Sequence, residues 1–83
     1  MQLTREEKKW LEDVQNLLDK CPSDRLGFFT IGDANLTVYD RRKDLEIDEI
    51  QDTKGRDFCN AVEDVGGFIK KLNFPAAVHS TSG

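Results

Sequence analysis

Apolar positions along the chain fall in successive runs of helical or alternating spacing, and each run marks an element. Between Trp10 and Leu18 they fall at Trp10, Leu11, Val14, Leu17 and Leu18. Steps of one, three and four put them on one face of a helix. Glu6, Lys9, Asp13, Asn16 and Lys20 take the other face. Thr4 with Glu7 three residues later forms the pattern of a capping box, in which hydroxyl and carboxylate each satisfy a free backbone N–H. Pro22 disfavours helical geometry in the residue before it. The spacing predicts a helix over about residues 4–20.

The period then shortens to two. Leu26, Phe28 and Thr30 alternate with Gly27, Phe29 and Ile31, and Leu36 and Val38 alternate with Thr37 and Tyr39. Aromatic and β-branched residues suit a pleated, half-buried surface, and Gly32-Asp33-Ala34-Asn35 between the runs has turn chemistry. This is a β-hairpin. After a polar RRK, the alternation Asp44-Leu45-Glu46-Ile47-Asp48 reads as a third strand, with a short helix reaching Ile50 as the alternative. Gln51 to Gly55 reads as a loop.

The helical period returns at Phe58, Ala61, Val62, Val65, Phe68, Ile69 and Leu72. It predicts a helix over 57–71, interrupted by Gly66 and Gly67, which cost about 2 kcal/mol together inside a helix. Pro75 closes it, and a mobile tail is expected from about residue 76. The whole is an α+β domain spanning residues 1–83: N-terminal helix, antiparallel hairpin or three-stranded sheet, C-terminal helix. The expected arrangement is a two-layer sandwich with both helices on one sheet face.

Charge narrows the function classes. With 16 acidic against 12 basic residues the formal charge is −4, opposite to the basic face by which nucleic-acid binders neutralise phosphates. No apolar run approaches the roughly 20 residues that span a bilayer, and MQLTREEKKW lacks the apolar centre of a signal peptide. The expected compartment is the cytoplasm. Two cysteines, Cys21 and Cys59, and the single His79 are too isolated for a zinc site, and reduced, partly buried thiols are the expectation.

Three constellations carry candidate chemistry. On a strand, Asp44, Glu46 and Asp48 share a face and offer magnesium ligands, although any strand with one wet face shows the same alternation. Asp33-Ala34-Asn35 begins like a calcium loop but lacks the later acids. A nucleophilic cysteine needs a base held by a third group, and neither cysteine has one in sequence. Nothing calls for a cofactor, and catalysis is not expected. A small metal-dependent enzyme is the least favoured alternative.

The remaining signal is a surface. If Phe29, Ile31 and Tyr39 share a sheet face turned away from the helices, that face is too apolar for an idle monomer. With Arg41 at its edge it reads as a protein-binding or homodimer surface, unless a loop or the C-terminal segment with Phe74 and Val78 covers it. The acids of residues 44–52 with Asp57, Glu63 and Asp64 allow an alternative, an acidic inhibitor that imitates DNA. Interleaved bases such as Arg41-Arg42-Lys43 dilute that reading.

PSDRLGFFTIGD, LTVYDR and the closing FPAAVHSTSG resemble small uncharacterised proteins of phages and prophages of enteric bacteria. The resemblance implies no activity or site residues. It implies a bacterial-host cytoplasmic accessory protein that acts by binding an unidentified host or phage protein.

Overall fold

The computed structural model describes residues 2–79 and has the order α1 (Arg5–Asp19), β1 (Leu26–Phe29), β2 (Asn35–Asp40), α2 (Asp44–Lys54), α3 (Phe58–Asp64) and β3 (Phe68–Asn73), with a 3-10 turn over Arg41–Lys43. It is an α+β fold with one antiparallel sheet, order β1-β2-β3.

α1 starts as its sequence dictates. Thr4 Oγ1 accepts from the Glu7 N–H at 3.0 Å, and Glu7 Oε1 accepts from the Thr4 N–H at 2.7 Å. β1 and β2 form the expected hairpin, with Leu26 opposite Asp40 and Phe29 opposite Thr37. Gly32 takes a positive φ of 95° in the turn between them.

The third strand is not where alternation put it. Asp44 to Asp48 opens α2, a helix that runs to Lys54. Leu45 is 84% exposed while Ile47 is 0% exposed. On a strand these two would share a face; on a helix they stand about 200° apart. Several local terms favour the helix. Asp44 and Glu46 occupy its first turn and Lys54 its last, matching the helix dipole. Gly55, at φ 63°, closes it with its N–H on Gln51 O at 3.1 Å.

The helical segment after residue 57 begins as expected, with the Asp57 carboxylate accepting from the Asn60 N–H at 2.9 Å. It ends at Asp64 rather than 71, and residues 68–73 become β3. The glycine pair decides this. Gly66 sits at φ 69° and donates to Glu63 O at 3.0 Å, and Gly67 donates to Val62 O at 2.8 Å. These are the two bonds of a Schellman motif, whose left-handed residue favours glycine.

Ile47, Ala61 and Val62 form the buried cluster, with Phe29, Tyr39, Ile50, Phe58 and Val65 packed against it. α2 and α3 therefore cover one face of the sheet. α1 does not join them. None of its residues is buried, and the molecule measures 50 × 27 × 20 Å. Its radius of gyration is 15.5 Å, against about 12 Å for a compact chain of this length. The expectation that both helices lie on one face fails for α1.

Within the tail expected to be mobile from residue 76, Val78 bonds back to the hairpin. Its N–H donates to Asp33 O at 2.8 Å, and Thr30 Oγ1 donates to Val78 O at 3.3 Å. Residues 80–83 of that tail lie outside the described residues.

Candidate functional site: two uncovered apolar surfaces

Strand register assigns each residue of the sheet to a face. Gly27, Phe29, Thr37 and Tyr39 lie toward α2 and α3; Leu26, Phe28, Leu36, Val38, Lys70 and Leu72 lie on the opposite side. The outward aromatic face expected from the sequence is thus the inward one. Phe29, Tyr39 and Phe58 stack edge-to-face, with ring centroids 5.1 to 5.9 Å apart. Such a trio adds about 0.5–1.5 kcal/mol per pair beyond burial.

Tyr39 lies across from Gly27. A Cβ on that glycine would sit 2.6 Å from Tyr39 Cζ and 2.8 Å from Arg41 Cγ, so Gly27 makes room for the ring. Burial, and then the Asp44 carboxylate, push the Tyr39 phenol above its usual pKa. Ile31 is exposed at the rim of this face. Arg41 lies past the end of β2 and donates from Nη1 to Asp24 O at 3.1 Å. The structure brings Phe29 and Tyr39 together inside the domain and leaves Ile31 and Arg41 on the outside. Between Phe29, Phe68 and Val62 there is a cleft of only about 40 Å³, scarcely more than the roughly 30 Å³ share of one water in the liquid. It is no ligand pocket.

Besides Ile31 and Phe68 at this rim and Leu45 on α2, exposed apolar side chains gather in two places. The first is the stripe on α1, where Trp10 is 53% and Leu17 73% exposed, with Leu11 and Leu18 also open. The second is the sheet face turned away from α2 and α3. Phe28 is 47% and Leu72 38% exposed there, in rows Phe28–Val38–Lys70 and Leu36–Leu72, with Val38 buried between its neighbours and Leu36 half-buried. Sequence periodicity found the stripe and this face's residues. It could not show that neither would be covered.

At the end of β2 stands a charged joint. Asp40, 7% exposed, accepts from Arg42 Nε and Nη2 at 3.0 to 3.2 Å and pairs with Arg25 Nε at 3.3 Å. Hydrogen bonds from Arg42 hold its carboxyl well below the usual carboxylate range, against the desolvation that would raise it. Asp40 also caps the 3-10 turn through the Arg42 N–H at 3.0 Å.

The remaining candidates are dispersed. On α2, Asp44 and Glu46 point about 200° apart, and among the described residues no three His, Cys, Asp or Glu side chains gather as metal ligands. Cys59 is partly buried; Cys21, expected to be partly buried, is exposed, just past the end of a helix that buries none of its residues. Among the described residues no helix is long and apolar enough to cross a membrane. Comparison with known protein families, curated proteins and solved structures returns no match to this chain.

Proposed function

We propose that this chain is a non-catalytic interaction module of the bacterial cytoplasm, a phage or prophage accessory protein that acts by binding another protein chain. α1 is its docking element. The observation that carries this reading is an amphipathic helix, correctly capped, whose apolar stripe leaves Trp10, Leu11, Leu17 and Leu18 exposed and buries no residue in its own domain. An amphipathic helix laid into an apolar groove is a recurrent mode of protein recognition, read out by anchors at i, i+3, i+4 and i+7. Trp10, Val14, Leu17 and Leu18 stand at i, i+4, i+7 and i+8, on one such face.

Imitation of DNA has less support. Asp13, Asp40, Asp44, Glu46 and Asp64 each lie within 4.0 Å of a lysine or arginine. Those pairs break up the continuous negative face that a mimic needs.

Affinity capture from an enteric bacterial lysate tests the reading, with wild type compared with Leu17→Glu. Circular dichroism first establishes that the variant is folded. The expected result is a protein held by wild type and lost by the variant. Equal retention by both removes α1 as the docking element.

A further inference from the structure

We propose that the surface α1 docks onto is the open sheet face of a second copy of this chain, so that two chains exchange their N-terminal helices. This rests on the reading of α1 as a docking element and names its partner.

The two uncovered apolar surfaces match in kind. The α1 stripe carries Trp10, Leu11, Val14, Leu17 and Leu18, three positions per heptad. That is the width of a helix face packed on a core and is broader than the two-position seam of a coiled coil. The other face of the sheet exposes Phe28 and Leu72 around half-buried Leu26 and Leu36 and a buried Val38, and carries neither α2 nor α3.

Their charges also match. Glu7 lies one heptad before Val14, on the same line of α1. Lys70 stands beside Val38 on the open face. Among the described residues neither has an ion-pair partner in its own chain.

Area fits as well. A helix of 15 residues is about 22 Å long and about 10 Å wide. Laid on a sheet it removes on the order of 800 Å² from water, counting both surfaces. The reciprocal contact doubles this to about 1,600 Å², the size of a standard specific interface.

The chain that joins α1 to β1 is fastened at the end of the sheet. Arg25 O accepts from the Arg41 N–H at 2.7 Å, Asp24 O accepts from Arg41 Nη1 at 3.1 Å, and the Arg25 N–H donates to Ser23 Oγ at 3.3 Å. Pro22 fixes its own φ just before this anchored stretch. A helix that buries no residue, in a chain whose sheet has one face without helices, suits an exchanged, two-fold dimer.

Sedimentation equilibrium of the full chain, with Leu17→Glu on α1 and Leu72→Lys on β3, tests the exchange. Both residues are solvent-exposed in the single chain, and Phe28→Lys serves as a second sheet variant should Leu72→Lys unfold. Wild type is expected at twice the chain mass, with the emission of Trp10, the sole tryptophan, shifted to the blue on association. Each variant alone is expected to lose the dimer. Mixing the α1 variant with a sheet variant restores it, because the mixed pair keeps one intact contact and sets Glu against Lys in the other.

A dimer that survives both sheet variants means α1 pairs with α1, which overturns the exchange. A wild-type monomer at every concentration overturns it too. In that last case a lysate protein still captured through Leu17 leaves the interaction-module reading standing, so the two failures are distinguishable.

Discussion

α1 and α2 invert what their sequences suggest. α1 has a clean apolar stripe and a complete capping box, yet buries nothing. α2 is poorly segregated, with Leu45 in solvent and Asp48 beside Ile47, yet it supplies the fully buried Ile47. An amphipathic pattern states that a helix has a face to bury. It does not state that the covering surface lies in the same chain. α2 and α3 find theirs in Phe29 and Tyr39, and α1 finds none.

The sharpest test of that contrast sets one aliphatic truncation against another. Ile47→Ala is expected to cost about 2–5 kcal/mol, the range for a buried aliphatic side chain reduced to alanine. Leu17→Ala, studied at concentrations that keep the chain monomeric, is expected to stay within about 0.5 kcal/mol. Urea denaturation followed by circular dichroism measures both. Comparable losses would mean that α1 packs on its own domain.

A second pair separates the adjacent glycines of the α3 to β3 junction. Gly66→Ala forces a Cβ into the left-handed region and is expected to cost about 1–2 kcal/mol. Gly67 has no positive φ, and a Cβ there would meet Val62 O at 3.5 Å, ordinary contact. Gly67→Ala is expected to change stability by less than Gly66→Ala in the same denaturation series. The reverse order would remove the Schellman motif as the reason α3 stops.

The joint makes a prediction about acid. Asp40's folded pKa lies below its unfolded value of about 3.9, held down by Arg42. Its contribution is therefore complete above that pH and lost as the pH falls toward the folded value. Asp40→Asn is expected to lower the Tm at neutral pH, and the gap from wild type is expected to close as the pH drops below about 3.9. A gap independent of pH would show that the ion pair is not what Asp40 contributes.

How much of this was legible depends on how local each determinant is. The α1 cap, the hairpin and the stop at the glycine pair are short-range effects. Thr4 with Glu7, the turn around Gly32, and Gly66 all behave as their chemistry requires, although the glycines end the helix where the wider apolar period had carried it on. The Asp44–Asp48 alternation misled because acids in a first helical turn and acids on a wet strand face look alike over five residues. Only Gly55 and Ile50, beyond that window, separate them. Period two puts Phe29 and Tyr39 on one face but does not give that face its direction, since it sorts residues into two faces and is silent on which one the helices choose. That choice rests on contacts between Phe29, Tyr39 and Phe58, which are 10 to 29 residues apart in the chain.

The smallest predicted effect bears most directly on the contrast between the helices. Removing the capping box with Thr4→Ala is expected to cost about 1 kcal/mol of helix stability. In a monomer with α1 free, that loss stays local. The helical circular dichroism falls as the first turn frays, and the urea midpoint of the sheet and α2–α3 core does not move. In an exchanged dimer α1 is part of the cooperative unit, so the same substitution lowers the midpoint and weakens association by about tenfold per 1.4 kcal/mol lost. Measured below and above the dimerisation concentration, one hydroxyl thus reports whether α1 is a projection from the domain or the missing layer of its neighbour. A midpoint shift of the same size at both concentrations would place α1 on its own sheet and dissolve the difference between the two helices.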